Sequence, residues 1–230
     1  YRPKRRTRAT IAKEKGLEPL ANIILLQMTK EPLEKEAEAF VSEEKEVKTA
    51  KDATAGACDI IAESISDEAD YRMEIRRRTE AKGLIVSTAK DEKAESVYEN
   101  YYEFSEPVSK IAGHRVLALN RGEKEKILTV KIEAPEDDIL RYLRKKVIVK
   151  ENEYTTPYLE EKKIITKESP QTKPVLQATI EDAYNRLIAP AIEREVRNQL
   201  TEKAEDGAIK VFGKNLEQLL MQPPIAGQVV

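Results

Sequence analysis

The sequence predicts a mainly α-helical protein, an elongated multi-helix assembly that carries a small β element. Apolar residues recur at steps of three and four along most of the chain, which is the spacing of one helix face. Strand signals are confined to two short segments: a β-branched run over residues 84–88 and a period-two alternation over residues 127–132. Charged residues make up 36% of the 230 residues and aromatic residues 5%. This composition favours long helices with solvated faces around an aliphatic core.

Four helices are predicted in the first part of the chain. Thr7 is a suitable N-cap for a short helix that ends at Gly16. Further helices are expected over residues 17–27, 33–41 and 47–64. Because the last of these is rich in alanine, it would let a neighbouring helix approach closely.

The middle of the chain mixes both element types. Asp67 is expected to cap a helix that runs to Lys82, and residues 84–88 then form a strand. A helical stretch is expected over 97–104, and a brief helix over 114–120 that Gly122 stops. The strand at 127–132 could pair with the strand at 84–88.

The last third of the chain has the clearest helical pattern. A helix is expected over 136–145, and residues 151–174 are expected to be the least regular part. The apolar positions from Ile180 to Leu200 predict a long helix that kinks or restarts at Pro190. We expect four segments. Residues 1–83 form a helical segment with a basic arm, and residues 84–176 form a mixed segment with a small sheet and loops. Residues 177–221 form a long kinked helical segment, and residues 222–230 form a linker.

The residue inventory argues against several function classes. His114 is the only histidine and Cys58 the only cysteine, so paired-histidine and cysteine-cluster zinc sites are excluded. No glycine-rich phosphate loop and no nucleophile elbow is present. We therefore expect no catalytic residue, no cofactor and no metal. The longest apolar run, Ile23–Leu26, is too short for a membrane span. The chain begins at Tyr1 rather than Met, and we expect it to be a piece of something longer.

The best local candidate for a function is a basic arm at the N-terminus. The net charge of −2 gives no general support to nucleic-acid binding. The arm, however, carries five cations that no acidic residue interrupts, and guanidinium and ammonium groups suit phosphate oxygens. The alternative is that these cations cover acidic helices or are simply solvated. The candidate residues are Arg2, Lys4, Arg5, Arg6 and Arg8.

Other charged and aromatic groups have simpler explanations. Arg72 and Arg76–Arg78 are surrounded by carboxylates, so local ion pairing is expected. The bases from Arg141 to Lys150 follow acids at a helix start, a layout that the helix dipole explains. The aromatic group from Tyr98 to Phe104 could stack on bases, but core packing is the expected role.

Six segments of the chain together carry a recognisable pattern: residues 1–9, 114–123, 191–197, 200–205, 211–216 and 219–223. They resemble one family, the bacterial transcription accessory proteins called Tex. No segment is a catalytic motif, but they follow the family's order along nearly the whole chain. Within the second segment, Arg115 and Arg121 are further candidate nucleic-acid-binding residues.

The resemblance implies a helical scaffold that binds nucleic acid and acts in transcription in the cytoplasm. It also implies that the family's RNase-H-like, helix-hairpin-helix and OB-fold RNA-binding domains lie elsewhere in the protein and make most of the nucleic-acid contacts. The alternative is a module that contacts RNA polymerase or other transcription factors without touching nucleic acid. No membrane partner is expected.

Overall fold

The protein is mainly α-helical with a small antiparallel sheet, as predicted. It divides into two compact units, each built from two stretches of chain. The first unit comprises Tyr1–Ile75 and Glu136–Ile192, and the second comprises Arg76–Pro135 and Glu193–Val230. The computed structural model describes residues 6–27, 29, 31–91, 93, 95–148, 151–154, 164–167 and 169–221.

The first unit opens with three short helices: α1 (Arg8–Glu14), α2 (Glu18–Leu26) and α3 (Leu33–Glu38). The predicted cap is confirmed, because the Thr7 hydroxyl accepts a hydrogen bond from the backbone N–H of Thr10 at 3.1 Å. Gly16 follows α1 with a φ of +78°, a conformation in which glycine is strain-free. The third helix ends earlier than its predicted limit at residue 41.

A longer helix, α4 (Ala50–Asp67), is the packing centre of the first unit. It begins at Thr49 with a capping box, in which Thr49 and Asp52 bond to each other's backbone N–H groups. Ala53, Ala57 and Ile61 are fully buried. A methyl group on Gly56 would overlap the side chain of Leu17. The predicted close approach of a neighbouring helix is thus confirmed.

The first unit is completed by α7 (Glu136–Val147), the antiparallel strand pair β4 (Glu151–Tyr154) and β5 (Ile164–Lys167), and α8 (Lys173–Asp182). A π-helical segment, Ala183–Ile188, then leads into α9 (Ala189–Leu220). Pro190 has no N–H, and its ring would clash with a carbonyl four residues earlier in a regular helix. A wider π turn relieves that conflict, which confirms the predicted interruption near Pro190.

The sheet belongs to the second unit and has the order β2-β1-β3. Its strands are β1 (Leu84–Ala89), β2 (Glu103–Pro107) and β3 (Leu128–Glu133), and both pairings are antiparallel. The predicted pairing of the first and last of these is confirmed, with Ile85 opposite Ile132. Helix α5 (Ala69–Lys82) leads into β1, and α6 (Gly113–Lys124) packs on β3.

Three local predictions are wrong. Residues 97–104 do not form an α-helix: a short 3₁₀ helix, Glu99–Tyr101, precedes β2, and residues 103 and 104 already pair with β1. Gly122 does not stop α6. It lies inside the helix, where the absence of a side chain makes room for Leu128. Asp67 is the last residue of α4 rather than the cap of α5.

Within the described part of the chain, none of the helices combines the length and apolar composition needed to cross a membrane.

A matched pair of glycine substitutions tests the packing of α6. A Cβ at Gly122 would lie 2.6 Å from Leu128 Cδ1, whereas a Cβ at Gly207 in α9 has no neighbour within 4 Å. Both changes to alanine gain helix propensity, but only Gly122→Ala creates an overlap. Gly207→Ala should raise the free energy of unfolding by about 0.5–1 kcal/mol. The free energy of unfolding of Gly122→Ala should be at least about 1 kcal/mol lower than that of Gly207→Ala, as measured by urea denaturation. Equal effects of the two substitutions would contradict this packing.

Candidate nucleic-acid interface

The described part of the basic arm lies at the start of α1. Arg6, just before α1, forms an ion pair with Glu14, the last residue of α1, and both side chains are exposed. Arg8 is also exposed. The other predicted arm residues, Arg2, Lys4 and Arg5, lie outside the described residues. The structure therefore places two of the five predicted cations in solvent-exposed positions.

A cleft of about 270 Å³ adjoins Arg8. It carries charges of both signs: Lys15 also lines it, but so do Glu46, Asp52 and Asp59. The Lys15 ammonium donates to the backbone carbonyl of Glu46 at 3.2 Å. Since carboxylates repel phosphate, the cleft itself is a poor phosphate site, and the exposed side of Arg8 is the better one.

The other two candidates, Arg115 and Arg121, lie on α6 in the second unit. They are six residues apart, about 240° around the helix, so they do not share a face. Arg115 Nη1 lies 2.8 Å from Glu106 Oε2, and its guanidinium lies 6.0 Å from the Phe104 ring centroid. Arg121 Nε lies 3.7 Å from Glu125 Oε1. Each guanidinium thus has a carboxylate nearby.

The aromatic group is mostly used for packing. Tyr98 is buried, and its ring lies against the position of Gly122. The Tyr102 hydroxyl bonds with Ser96 Oγ at 2.9 Å. Tyr101 and Phe104 meet edge to face, with ring centroids 5.3 Å apart. These contacts agree with the expected core role rather than with an open stacking platform.

A polar network of the second unit surrounds Arg197 of α9, a residue that was not among the predicted candidates. Its guanidinium donates to both carboxylate oxygens of Glu123, at 3.1 and 2.5 Å. It also donates to the side-chain carbonyl of Asn120 and to the backbone carbonyl of Val130, each at 3.3 Å. One turn earlier, Glu193 accepts the backbone N–H of Ile132 at 3.0 Å. Side chains of α9 therefore satisfy backbone groups of β3.

Arg186 has the same role in the first unit. It binds Asp182 through two nitrogens, at 3.1 Å and 2.6 Å, and Asp59 of α4 at 2.8 Å. These bonds tie the π-helical segment to α4. The four-residue spacing of Asp182 and Arg186 was a visible signal, because such pairs face each other on a helix. The partnership with Asp59 spans 127 residues and left no local signal.

No group of three or more His, Cys, Asp or Glu residues that could hold a metal ion occurs within the described ranges. The single histidine, His114, is exposed at the start of α6.

The architecture is mainly helical, and its multiply bonded arginines connect separate elements of each unit. A family model described as Tex central region-like matches residues 27–212. Over the whole length of this chain, its sequence is 49% identical to that of YdcI of Bacillus subtilis. It is 32% identical to Protein tex of Bordetella pertussis, also over its whole length, and 30% identical to Transcriptional accessory protein Tex of Neisseria gonorrhoeae over 97% of its length.

The chain belongs to the Tex family, as its resemblance indicated. It spans 30%, 29% and 28% of the lengths of these three relatives.

The network around Arg197 predicts a pH-dependent contribution to stability. The hydrogen bond from Arg197 lowers the pKa of Glu123 below its usual 4.5. A lowered folded-state pKa stabilises the protein above the unfolded-state pKa, and this stabilisation is lost as pH falls through the folded-state value. Glu123→Gln should therefore lower the free energy of unfolding at pH 7 and make little difference near pH 3. Urea denaturation of both proteins across this range measures the difference, and a deficit that is constant with pH would contradict the assignment.

Proposed function

We propose that this chain is the helical scaffold region of a Tex-like transcription accessory protein and that it contacts nucleic acid through its exposed cations. The observation that carries the proposal is the family match over residues 27–212. The relative from Neisseria gonorrhoeae is named a transcriptional accessory protein. The proposed contact residues are Arg2, Lys4, Arg5, Arg6, Arg8, Arg115 and Arg121.

The ion pairs of these arginines are compatible with phosphate binding. The Arg6–Glu14 pair joins side chains that are 67% and 51% exposed. Exposed pairs of this kind contribute about 0–1 kcal/mol. A phosphate that neutralises the same guanidinium releases condensed counterions, which favours binding at low salt. The carboxylate therefore competes weakly with the nucleic acid.

The proposed binding is electrostatic and not specific for base sequence. The overall charge of −2 disfavours a general attraction, so a small number of arginines must make the contact. Binding of this kind weakens steeply as salt rises, because each phosphate contact adds to the counterion term. Further domains of the longer protein would then supply most of the affinity.

The scaffold role follows from how the described helices are held together. Helix α4 has buried contacts with several other helices of the first unit, and α9 is bonded to β3 in the second. Packed cores of this kind resist deformation and can hold attached domains at fixed positions. A cytoplasmic location and the absence of catalysis remain part of this proposal.

A second candidate function is contact with RNA polymerase or another transcription factor without nucleic acid. The observation that favours it is the exposed apolar end of α9. Phe212, Leu219 and Leu220 are each at least 66% exposed. Exposed apolar residues that are adjacent on a surface mark interaction sites more often than scattered ones do.

An arm variant tests the proposed nucleic-acid contact. Replacing Arg2, Lys4, Arg5, Arg6 and Arg8 by glutamine should weaken binding of labelled single-stranded and duplex oligonucleotides by about ten-fold or more at low salt. The slope of log K against log salt should also become less steep, by about 0.9 for each duplex phosphate that the arm no longer neutralises. Fluorescence anisotropy at low and moderate salt measures both quantities.

A matched control removes the same number of positive charges elsewhere on the first unit, at exposed lysines. At moderate salt its affinity should stay within about two-fold of the unchanged chain, because long-range charge effects are then screened. Equal losses in both variants, or no binding by the unchanged chain at either salt, would remove the direct role of the arm. The control positions are Lys35, Lys48, Lys51, Lys145 and Lys146.

A further inference from the structure

An apolar groove of about 640 Å³ lies within the second unit, between α9 and the chain that leads into α6. Its floor is formed where the two elements touch at small residues. A Cβ on Gly113 would lie 3.2 Å from Ala204 Cα and 3.3 Å from Ala204 Cβ. This close approach leaves larger neighbouring side chains on each side as walls.

The walls are apolar and open to solvent on the α9 side. Val108, Ile111 and Leu117 line one wall, and Val211 and Phe212 line the other. Phe212 is 69% exposed and Val211 is 61% exposed. A partner that covered these side chains would remove their apolar surface from water, which favours binding. The groove is therefore a surface at which binding is favourable.

The length of the groove matches a short helix. Its lining on α9 runs from Leu200 to Asn215, which corresponds to about 22 Å, or four turns, of helix. Gly207 lies within this stretch and has open space around the position of a Cβ, so a partner backbone can approach closely. Amphipathic helices bind grooves of this kind through apolar residues on one face.

The charged side chains that line the groove favour a partner helix that carries a carboxylate. The chain has 42 acidic and 40 basic residues, yet no Asp or Glu lines the groove, whereas Lys203 and His114 do. A carboxylate on the incoming helix would meet Lys203 without repulsion from the lining residues.

A second copy of this chain fits less well. Its own exposed apolar segment, residues 209–221, contains Lys210 and Lys214 and a single carboxylate, Glu217. Bringing those lysines to a groove that already holds Lys203 places like charges together, which disfavours the pairing.

We propose that this groove binds one amphipathic α-helix of a partner protein, whose apolar face covers Val211 and Phe212 and whose carboxylate pairs with Lys203. The proposal identifies the surface that the second candidate function would use. It does not depend on nucleic-acid binding, because none of the proposed phosphate contacts lines the groove.

Three synthetic peptides test the proposal with the full 230-residue chain. Each is a labelled helix-forming peptide of four to five turns with leucines at positions i, i+3, i+4 and i+7. The first carries glutamates beside the leucines, the second lysines, and the third has the composition of the first in scrambled order. Anisotropy should show the glutamate peptide binding at least about five-fold more tightly than the other two.

Substitutions in the chain locate the binding surface. Phe212→Ala should weaken the glutamate peptide by about ten-fold, and Lys203→Glu should reverse the preference towards the lysine peptide. Both side chains are exposed, so the fold should be retained. The matched control is Leu220→Ala, since Leu220 is 75% exposed but does not line the groove. It should leave the affinity unchanged.

Four results would overturn the proposal. Three come from the peptide experiments: equal binding of all three peptides, no binding of any peptide at millimolar concentration, and equal effects of Phe212→Ala and Leu220→Ala. The fourth comes from sedimentation equilibrium: a dimer of the unchanged chain that Phe212→Ala abolishes would assign the groove to a second copy. Oligonucleotide binding should be the same for Phe212→Ala and the unchanged chain, so failure here is distinguishable from failure of the proposed nucleic-acid contact.

Discussion

The close approach of other helices to α4 is the constraint on which the first unit depends. Small residues make it possible: Ala53 and Ala57 are fully buried, and Gly56 leaves room for Leu17. A larger side chain on this face would push the neighbouring elements away and open voids, and voids in a core are costly. The second unit repeats the device at smaller scale, where Gly113 meets Ala204 and Gly122 meets Leu128. In both units, the residues that pack most tightly are those with the least side chain.

Arginine has two distinct uses in this chain, and they bear differently on function. Arg186 and Arg197 are half-buried and bond to several acceptors each, so they hold elements in place. Arg6 and Arg121 are exposed and each has one carboxylate nearby, which leaves their guanidinium groups accessible to a phosphate. A count of basic residues along the chain cannot separate these uses, because burial and partners decide which cations remain available.

Helix patterns in the sequence predicted most of the fold, and the errors occurred where distant segments meet. Thr7, Gly16, the apolar steps around Ile60 and the interruption near Pro190 are local signals, and each was confirmed. The segment from Val97 to Phe104 was misjudged because its end belongs to β2, a strand that depends on pairing with the distant β1. The predicted arm residues include three outside the described ranges, and the partners of Arg197 lie more than 60 residues away.

The sequence by itself determined the helical class, the family and the candidate cations, because caps, apolar periodicity and family segments are written in neighbouring residues. Only the tertiary structure decided how the two units are assembled from separate stretches of chain, which arginines are committed to bonds, and that α9 borders an apolar groove without acidic lining. Those features depend on which distant surfaces come into contact, and contact in space is set by the packing of the whole core rather than by any local pattern.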